Sequence, residues 1–302
     1  MRVVAVTGAS GMVGRHVIDQ LGRHKVRVRV LMRQHRVIGN EIEVVVGNLT
    51  SEEALSQLLD GADTVIHCAA ELHDVSLMEE INVVATERLA KLSADRGVER
   101  FVHISSAGVI GPSAALWVNE ESPCAPANDY EVSKCKAEQL LTQYHSEKMR
   151  ICMLRPTNVI DDRAPGLLSN AIRNSWRDWL LCFLKGGECA HLVHAQDVAA
   201  AAVYLAGNEA CEGAYFVGYD EDEENSVSGV FALARESQSG SNWCGIHLPV
   251  AVPYWMRCLV RGISLHGRTR FSSERLTTSG FIFQLGLQAA VKRVCSFQQG
   301  LK

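Results

Sequence analysis

Positive charge is scarce in this chain of 302 residues: 30 Lys and Arg stand against 34 Asp and Glu, a formal net charge of −4. No broad basic field follows, so nonspecific attraction to nucleic acid or to anionic lipid is not expected of the chain as a whole. None of the ten cysteines forms a CxxC pair or a metal-ligand spacing, and a chain of this size needs no disulfide staples. No metal is expected, and a reducing, cytoplasmic setting is the simplest reading. Long apolar runs are missing too. The most apolar late stretch, Leu248 to Ile263, is broken by Pro249 and Pro253 and carries Arg257 and Arg261, so no membrane span is expected. The first apolar run, Val3 to Val6, ends in glycines and reads as a buried strand rather than a signal peptide. There is no internal repeat and no low-complexity tract.

What is present is an alternation. Short Val/Ile-rich runs at Val3 to Val6, Val26 to Met32, Glu43 to Val46, Thr64 to His67 and Phe101 to Ile104 are separated by segments with helical spacing. Near-continuous apolar runs of that length, separated by helical segments, indicate parallel strands covered on both faces. The expected architecture is α/β: a doubly wound, Rossmann-type parallel sheet over about residues 1–156, then a smaller C-terminal substrate-binding lobe over 157–302. Segments around 189–217 are expected to return to the core. Thr50-Ser51-Glu52-Glu53 predicts a capping box and a helix behind it. Further helices are expected from about Leu77 to Arg96, after Tyr130, from Leu167 to Leu184 and from Asp197 to Leu205, with a strand near Ala214 to Val217. The acidic run Asp220 to Glu224 reads as a solvated loop.

Directly after the first strand stands Thr7-Gly8-Ala9-Ser10-Gly11-Met12-Val13-Gly14, with helical sequence behind it. Glycines in a strand-to-helix turn let the backbone approach a pyrophosphate, whose charge is met by free N–H groups at the helix N-terminus. Gly8, Ser10, Gly11, Met12, Val13 and Gly14 are therefore candidate dinucleotide contacts. The end of the second strand reads Met32-Arg33-Gln34-His35-Arg36, with no acid for a free ribose hydroxyl. Arg33, with Arg36 behind it, instead suits a 2′-phosphate, which favours NADP(H) over NAD(H).

Tyr130 and Lys134 stand four apart, on one face of a predicted helix. A free phenol is a poor proton carrier at neutral pH, but a nearby ammonium and an oxidised nicotinamide both stabilise its phenolate. Upstream, the fifth strand runs into Ser105-Ser106, at the end of the sheet where such folds bind ligands. Ser106, Tyr130 and Lys134 form the candidate catalytic group.

These elements resemble the extended short-chain dehydrogenases/reductases, which include UDP-glucose 4-epimerases, nucleotide-sugar dehydratases, 4-ketoreductases and 3β-hydroxysteroid dehydrogenases. The resemblance covers about residues 1 to 290. It is carried by Thr7 to Gly14, Gly47-Asn48-Leu49, Val65 to Ala70, Asn82 to Thr86, Ser105 to Gly111, Leu154 to Asp161 and Val193 to Ala199. It implies that Lys134 also holds the nicotinamide ribose, that Asn48 and Leu49 flank the adenine, that Ala69 lines the cofactor cleft and that Thr157 lies near the nicotinamide. Asn82 of the fourth motif is retained as a cofactor-site residue, and a homodimer is implied as well.

Three departures narrow the chemistry. Asn48 replaces the usual adenine-contacting Asp, with a carbonyl that can still accept from the amino group. The motif tyrosines are Ile110 and Ile160. The acid/base pair of the dehydratases is Ala107-Gly108, which argues against dehydration. The resulting expectation is an NADP(H)-dependent reductase or dehydrogenase acting on a keto/hydroxyl group, with a nucleotide-activated sugar as the leading substrate class and Arg268 or Arg270 able to reach its diphosphate. The alternatives are an NAD-dependent nucleotide-sugar 4-epimerase, a steroid- or flavonoid-type alcohol dehydrogenase, and a catalytically idle NADPH-sensing protein.

Overall fold

The structure is a computed structural model that describes residues 1–35, 42–173, 175–239, 245–262 and 266–300. Seven strands make the main sheet: β1 (Val3–Thr7), β2 (Arg27–Met32), β3 (Ile42–Val46), β4 (Thr64–His67), β5 (Arg100–Ile104), β6 (Arg150–Pro156) and β7 (Gly213–Val217). Their order across the sheet is β7-β6-β5-β4-β1-β2-β3. From β3 to β6 each neighbouring pair is parallel, with Val6 opposite both Val30 and Ile66, and Val102 opposite Cys152. β1, β4, β5 and β6 are buried almost end to end, which is why their sequences read as apolar runs; β3, at the edge, is half open. The strand order reverses between β1 and β4, the switch point at which open α/β sheets bind ligands.

The chain divides into two compact units, residues 1–109, 126–155 and 198–215 in one and 110–125, 156–197 and 216–302 in the other. These units differ in two details from the expected division, mainly core to 156 and mainly lobe beyond it with segments around 189–217 returning. Residues 110–125 already belong to the second unit, where Trp117–Val118 pairs with Arg270–Phe271. The strand Leu192–His194 pairs with Asn158–Ile160 in a small sheet of that unit, so the chain rejoins the first unit only at Val198.

Helix boundaries differ from expectation for local reasons. The N-cap of the helix Glu52–Leu58 is Ser51, whose hydroxyl accepts from Ala54 N; position N3 is thus an alanine and no capping box forms. The stretch expected as one helix from Leu77 to Arg96 is α-helical at Val75–Met78, widens to a π-turn over Glu79–Val84 and resumes as α-helix over Ala85–Asp95. The span from Leu167 to Leu184 is two helices, Leu168–Arg173 and Trp176–Lys185. Ser175 and Asp178 form a capping box that starts the second afresh. The acidic run is not simply solvated. Asp220 is buried, and its carboxylate holds His191 Nδ1 at 2.6 Å while accepting from Asn225 Nδ2 at 3.0 Å and from Phe271 N at 2.9 Å.

Candidate active site

β1 runs into the glycine turn, and the helix Met12–Leu21 begins behind it with Gly11 as its N-cap. Gly8 has φ +69°, and a Cβ there would stand 2.5 Å from Ala69 N in the loop after β4. A Cβ on Gly14 would lie 2.1 Å from Gly8 O, so the first helical turn sits directly on the glycine turn. No side chain caps this helix and no acid stands in its first turn. Its N–H groups and the positive end of its dipole are left for an anion, in a cradle that side chains would fill. The site therefore fits a dinucleotide pyrophosphate. Ser10 and Gly11 are exposed there, and Met12 and Val13 half-buried.

Arg33 is exposed just past β2, and Arg36 lies outside the described residues. The expected role of Asn48 changes in detail. Its carbonyl oxygen already accepts from Thr50 N at 3.0 Å, Thr50 Oγ1 at 2.7 Å and Ser51 N at 3.0 Å, so the group it presents outward is the amide nitrogen. Leu49 is buried in the core cluster with Leu31, Val45 and Ala54. Ala69 is half-buried, against the glycine turn.

The helix Asp129–Thr142 starts on Asn128, whose side chain accepts from Glu131 N, and carries Tyr130 in its first turn and Lys134 one turn on. Lys134 is buried, and its Nζ donates to Ile104 O at 2.6 Å, at the carboxyl end of β5. Burial pulls the Lys134 ammonium down to about 8 against the opposing pull of Glu138 and Cys68. Burial, with the Glu131 carboxylate adding to it, pushes the Tyr130 phenol up to about 12. The hydrogen bond to the Ile104 carbonyl uses one of the three N–H donors of the Lys134 ammonium. Ser106 is half-buried at the same strand end, its hydroxyl accepting from Gly108 N at 3.1 Å. A Cβ on Gly108 would meet Glu131 Oε1 at 2.9 Å, so the position that holds an acid in dehydratases has no room for one here.

The polar contacts behind this group escaped the sequence reading. Asn82 lies in the π-turn; its Oδ1 accepts from Glu71 N at 2.7 Å, and its Nδ2 donates to Glu71 O and to Ser133 Oγ, both at 2.9 Å. Ser133 Oγ in turn donates to Tyr130 O at 2.7 Å. With its oxygen and nitrogen both engaged, Asn82 fastens the loop after β4 to the tyrosine helix. A second chain runs from Thr7 Oγ1 to His67 Nδ1 at 2.6 Å and from His67 Nε2 to Thr86 Oγ1 at 2.9 Å, with His103 stacked on His67 at 5.2 Å. Burial first, then the Lys134 charge, lowers His67 to about 3 and His103 well below its usual value, so both rings are neutral. Finally, Arg155 clasps Glu138 through Nε at 3.0 Å and Nη2 at 2.6 Å, both residues buried. The spacing of Lys134 and Glu138, one helical turn apart, was the available signal for that last link.

Thr157 belongs to the second unit, where its backbone N donates to Val217 O and its hydroxyl is buried without a partner among the described residues. In the same unit Ile110 and Ile160 are buried, Arg268 is exposed and the Arg270 guanidinium lies 5.7 Å over Trp117. A cavity of about 450 Å³ there is lined by Val159, Ile160, Leu167, Leu181 and Leu192, with Lys185 and Glu188 as its charged groups.

Residues 4–218 match the model of the NAD dependent epimerase/dehydratase family. The chain is 30% identical over 179 residues to a UDP-glucose 4-epimerase of Vibrio cholerae, covering 55% of this chain and 54% of that protein. It is also 30% identical over 189 residues to a 4-hydroxy-2-methyl-3-oxo-4-farnesyl-3,4-dihydroquinoline-1-oxide ketoreductase of Stigmatella aurantiaca, covering 58% and 56%. The chain thus spans about half the length of the curated relatives it matches. Among solved structures it resembles the UDP-glucose 4-epimerase of Thermus thermophilus in complex with NAD, at TM-score 0.74 and 22% identity over the full length of both chains. Its seven-strand sheet, its glycine turn and the family match over more than two thirds of its length agree: this chain belongs to the NAD dependent epimerase/dehydratase family, within the extended short-chain dehydrogenases/reductases.

Proposed function

We propose that this protein is an NADP(H)-dependent reductase or dehydrogenase acting on a keto/hydroxyl group, most readily one on a nucleotide-activated sugar. The observation that carries the reading is Lys134, buried with its Nζ on the Ile104 carbonyl at the end of β5, one helical turn from Tyr130 and at the same sheet edge as the glycine turn. The first turn of Met12–Leu21 would hold the pyrophosphate, and Arg33 a 2′-phosphate. Lys134 would hold the nicotinamide ribose. The bound nicotinamide supplies or accepts the hydride.

This chain's own residues then manage the proton. Ser106 donates a hydrogen bond to the reacting oxygen and orients it. Tyr130, with its phenol pushed up to about 12, carries its proton at neutral pH and is in the form that protonates a carbonyl oxygen as it is reduced. Ala107-Gly108 stands where the dehydratases carry their acid/base pair, which is why elimination is not part of the proposal.

Two findings keep competing readings in view. The Thermus relative is an epimerase in complex with NAD, which supports an NAD-dependent 4-epimerase as the nearest alternative. The Stigmatella relative is a ketoreductase of a farnesylated quinoline, which supports a lipid-like alcohol or ketone as the second substrate class. The dimer and the cytoplasmic setting belong to the same proposal and rest on the family resemblance and the free thiols.

Parallel calorimetric titrations with NADP and NAD test it, followed by turnover assays on keto-sugar nucleotides and on apolar ketones. Tighter NADP binding that falls about tenfold or more in Arg33→Ala, with NAD binding unchanged, is expected. Tighter NAD binding, or a cofactor that cannot be stripped, favours the epimerase. Tyr130→Phe should bind cofactor as the parent does and lose about a hundredfold or more of its turnover; biological activity unchanged in Tyr130→Phe but abolished by a Gly11 substitution would favour the sensor reading instead.

A further inference from the structure

Two helices of the second unit are turned the opposite way from an ordinary surface helix. On Ala251–Arg261 the residues Val252, Trp255, Met256, Leu259 and Val260 are exposed and fall at i, i+3, i+4, i+7 and i+8, one stripe along the helix. Leu259 and Val260 are 85% and 83% exposed. The other side holds the helix in place: Arg257 pairs with Glu188 at 2.6 Å, and the Tyr254 ring meets His266 edge-on at 4.8 Å. Trp176–Lys185 repeats the arrangement, with Trp176, Trp179, Leu180 and Leu184 exposed while Asp178 and Cys182 point inward. Leu248 N donates to Phe183 O at 2.8 Å, tying the end of this helix to the segment that leads into the other. A soluble surface helix buries its apolar stripe, and scattered exposed leucines need no explanation, but two anchored helices that both present theirs outward do.

The charges say what covers this face. By sequence, residues 173–188 and 246–262 carry Arg173, Arg177, Lys185, Arg257 and Arg261 against Asp178 and Glu188. Both acids are buried, Asp178 paired with Arg173 and Glu188 with Arg257, while Arg177 and Lys185 are exposed, Arg177 with its guanidinium 5.5 Å over the Trp176 ring. A local excess of cations on a chain of net charge −4 runs against the bulk composition. A second copy of the chain docked symmetrically would set these cations against one another. An anionic bilayer surface instead takes each component: aliphatic side chains below the headgroups, indoles at headgroup level and cations on the phosphates. Neither helix is long and apolar enough to cross a membrane, so each would lie along the surface. We propose that this face docks the protein on an anionic lipid surface, with the stripe of Ala251–Arg261 entering the headgroup region. The inference is independent of which cofactor or substrate the first unit serves.

The test is flotation of the full chain with vesicles of phosphatidylcholine alone and of phosphatidylcholine mixed with phosphatidylglycerol, with tryptophan quenching by bromine-labelled acyl chains as a second readout. Expected are co-flotation with the mixed vesicles, weakening in high salt, and quenching in the bound state. The double variant Leu259→Glu/Val260→Glu should lower the partition coefficient about tenfold or more, with circular dichroism and cofactor titration unchanged. Arg177→Glu/Lys185→Glu should lose the preference for the anionic vesicles. The proposal is overturned if the chain ignores anionic vesicles, or if binding survives Leu259→Glu/Val260→Glu. It is equally overturned if light scattering finds a dimer that this double variant splits while vesicles are never bound, which would make the face a contact between copies.

Discussion

Replacing Lys134 by Met is expected to alter the pH dependence of stability in a way that no surface lysine would. The ammonium is buried and held near 8, while in the unfolded chain it titrates at the usual 10.5. Between those values the unfolded chain binds more protons than the folded one, so the wild type gains stability as pH rises through the window; below about 8 it carries the full penalty of a buried charge. A lowering from 10.5 to about 8 corresponds to about 3 kcal/mol in total. Most of this falls between pH 7 and 10. The attraction of Glu138 is already part of that shift, and the hydrogen bond to Ile104 O that Lys134→Met gives up enters as an offset largely independent of pH. The quantity to measure is therefore the difference in unfolding free energy between wild type and Lys134→Met, from urea titrations at a series of pH values from 7 to 10. It should move in favour of the wild type by about 2–3 kcal/mol as pH rises. Parallel curves for the two proteins, or a shift in favour of the variant, would refute the claim that Lys134 is held as a desolvated, partly discharged ammonium.

Two substitutions probe the parts around it. Gly14→Ala places a methyl 2.1 Å from Gly8 O, backbone against backbone, so the glycine turn must open: calorimetry should show cofactor affinity falling by about tenfold or more, at a stability cost of about 1–3 kcal/mol. Glu138→Gln leaves the buried Arg155 without its counter-charge and should cost about 3–5 kcal/mol in urea unfolding at neutral pH. A loss under about 1 kcal/mol would mean that the pair is solvated rather than buried.

The sheet was legible in the sequence because strands buried on both faces admit almost nothing but aliphatic residues, and β1, β2, β4 and β5 lie within a residue or two of the runs that announced them. The glycine turn was legible because its spacing answers a steric demand visible one residue at a time: Gly8 and Gly14 cannot carry a Cβ. Local spacing fails where a residue's environment is made elsewhere in the chain. Leu49 sits in a short polar-flanked motif, and its burial is made by Leu31, Val45 and Ala54 from the neighbouring strands and helix. Asp220 opens an acidic run and reads as solvated, but His191, Asn225 and the Phe271 amide surround its carboxylate, and two of the three come from segments about 30 and 50 residues away.

The π-turn at Glu79–Val84 is invisible to periodicity for a related reason. Widening a helix by one residue leaves the apolar spacing within each flanking segment intact. Asn82 lies in that turn and bonds both Glu71 and Ser133, whose hydroxyl donates to the Tyr130 carbonyl. The helix that carries the proposed proton donor is thus fastened to a helical irregularity some fifty residues before it in the chain.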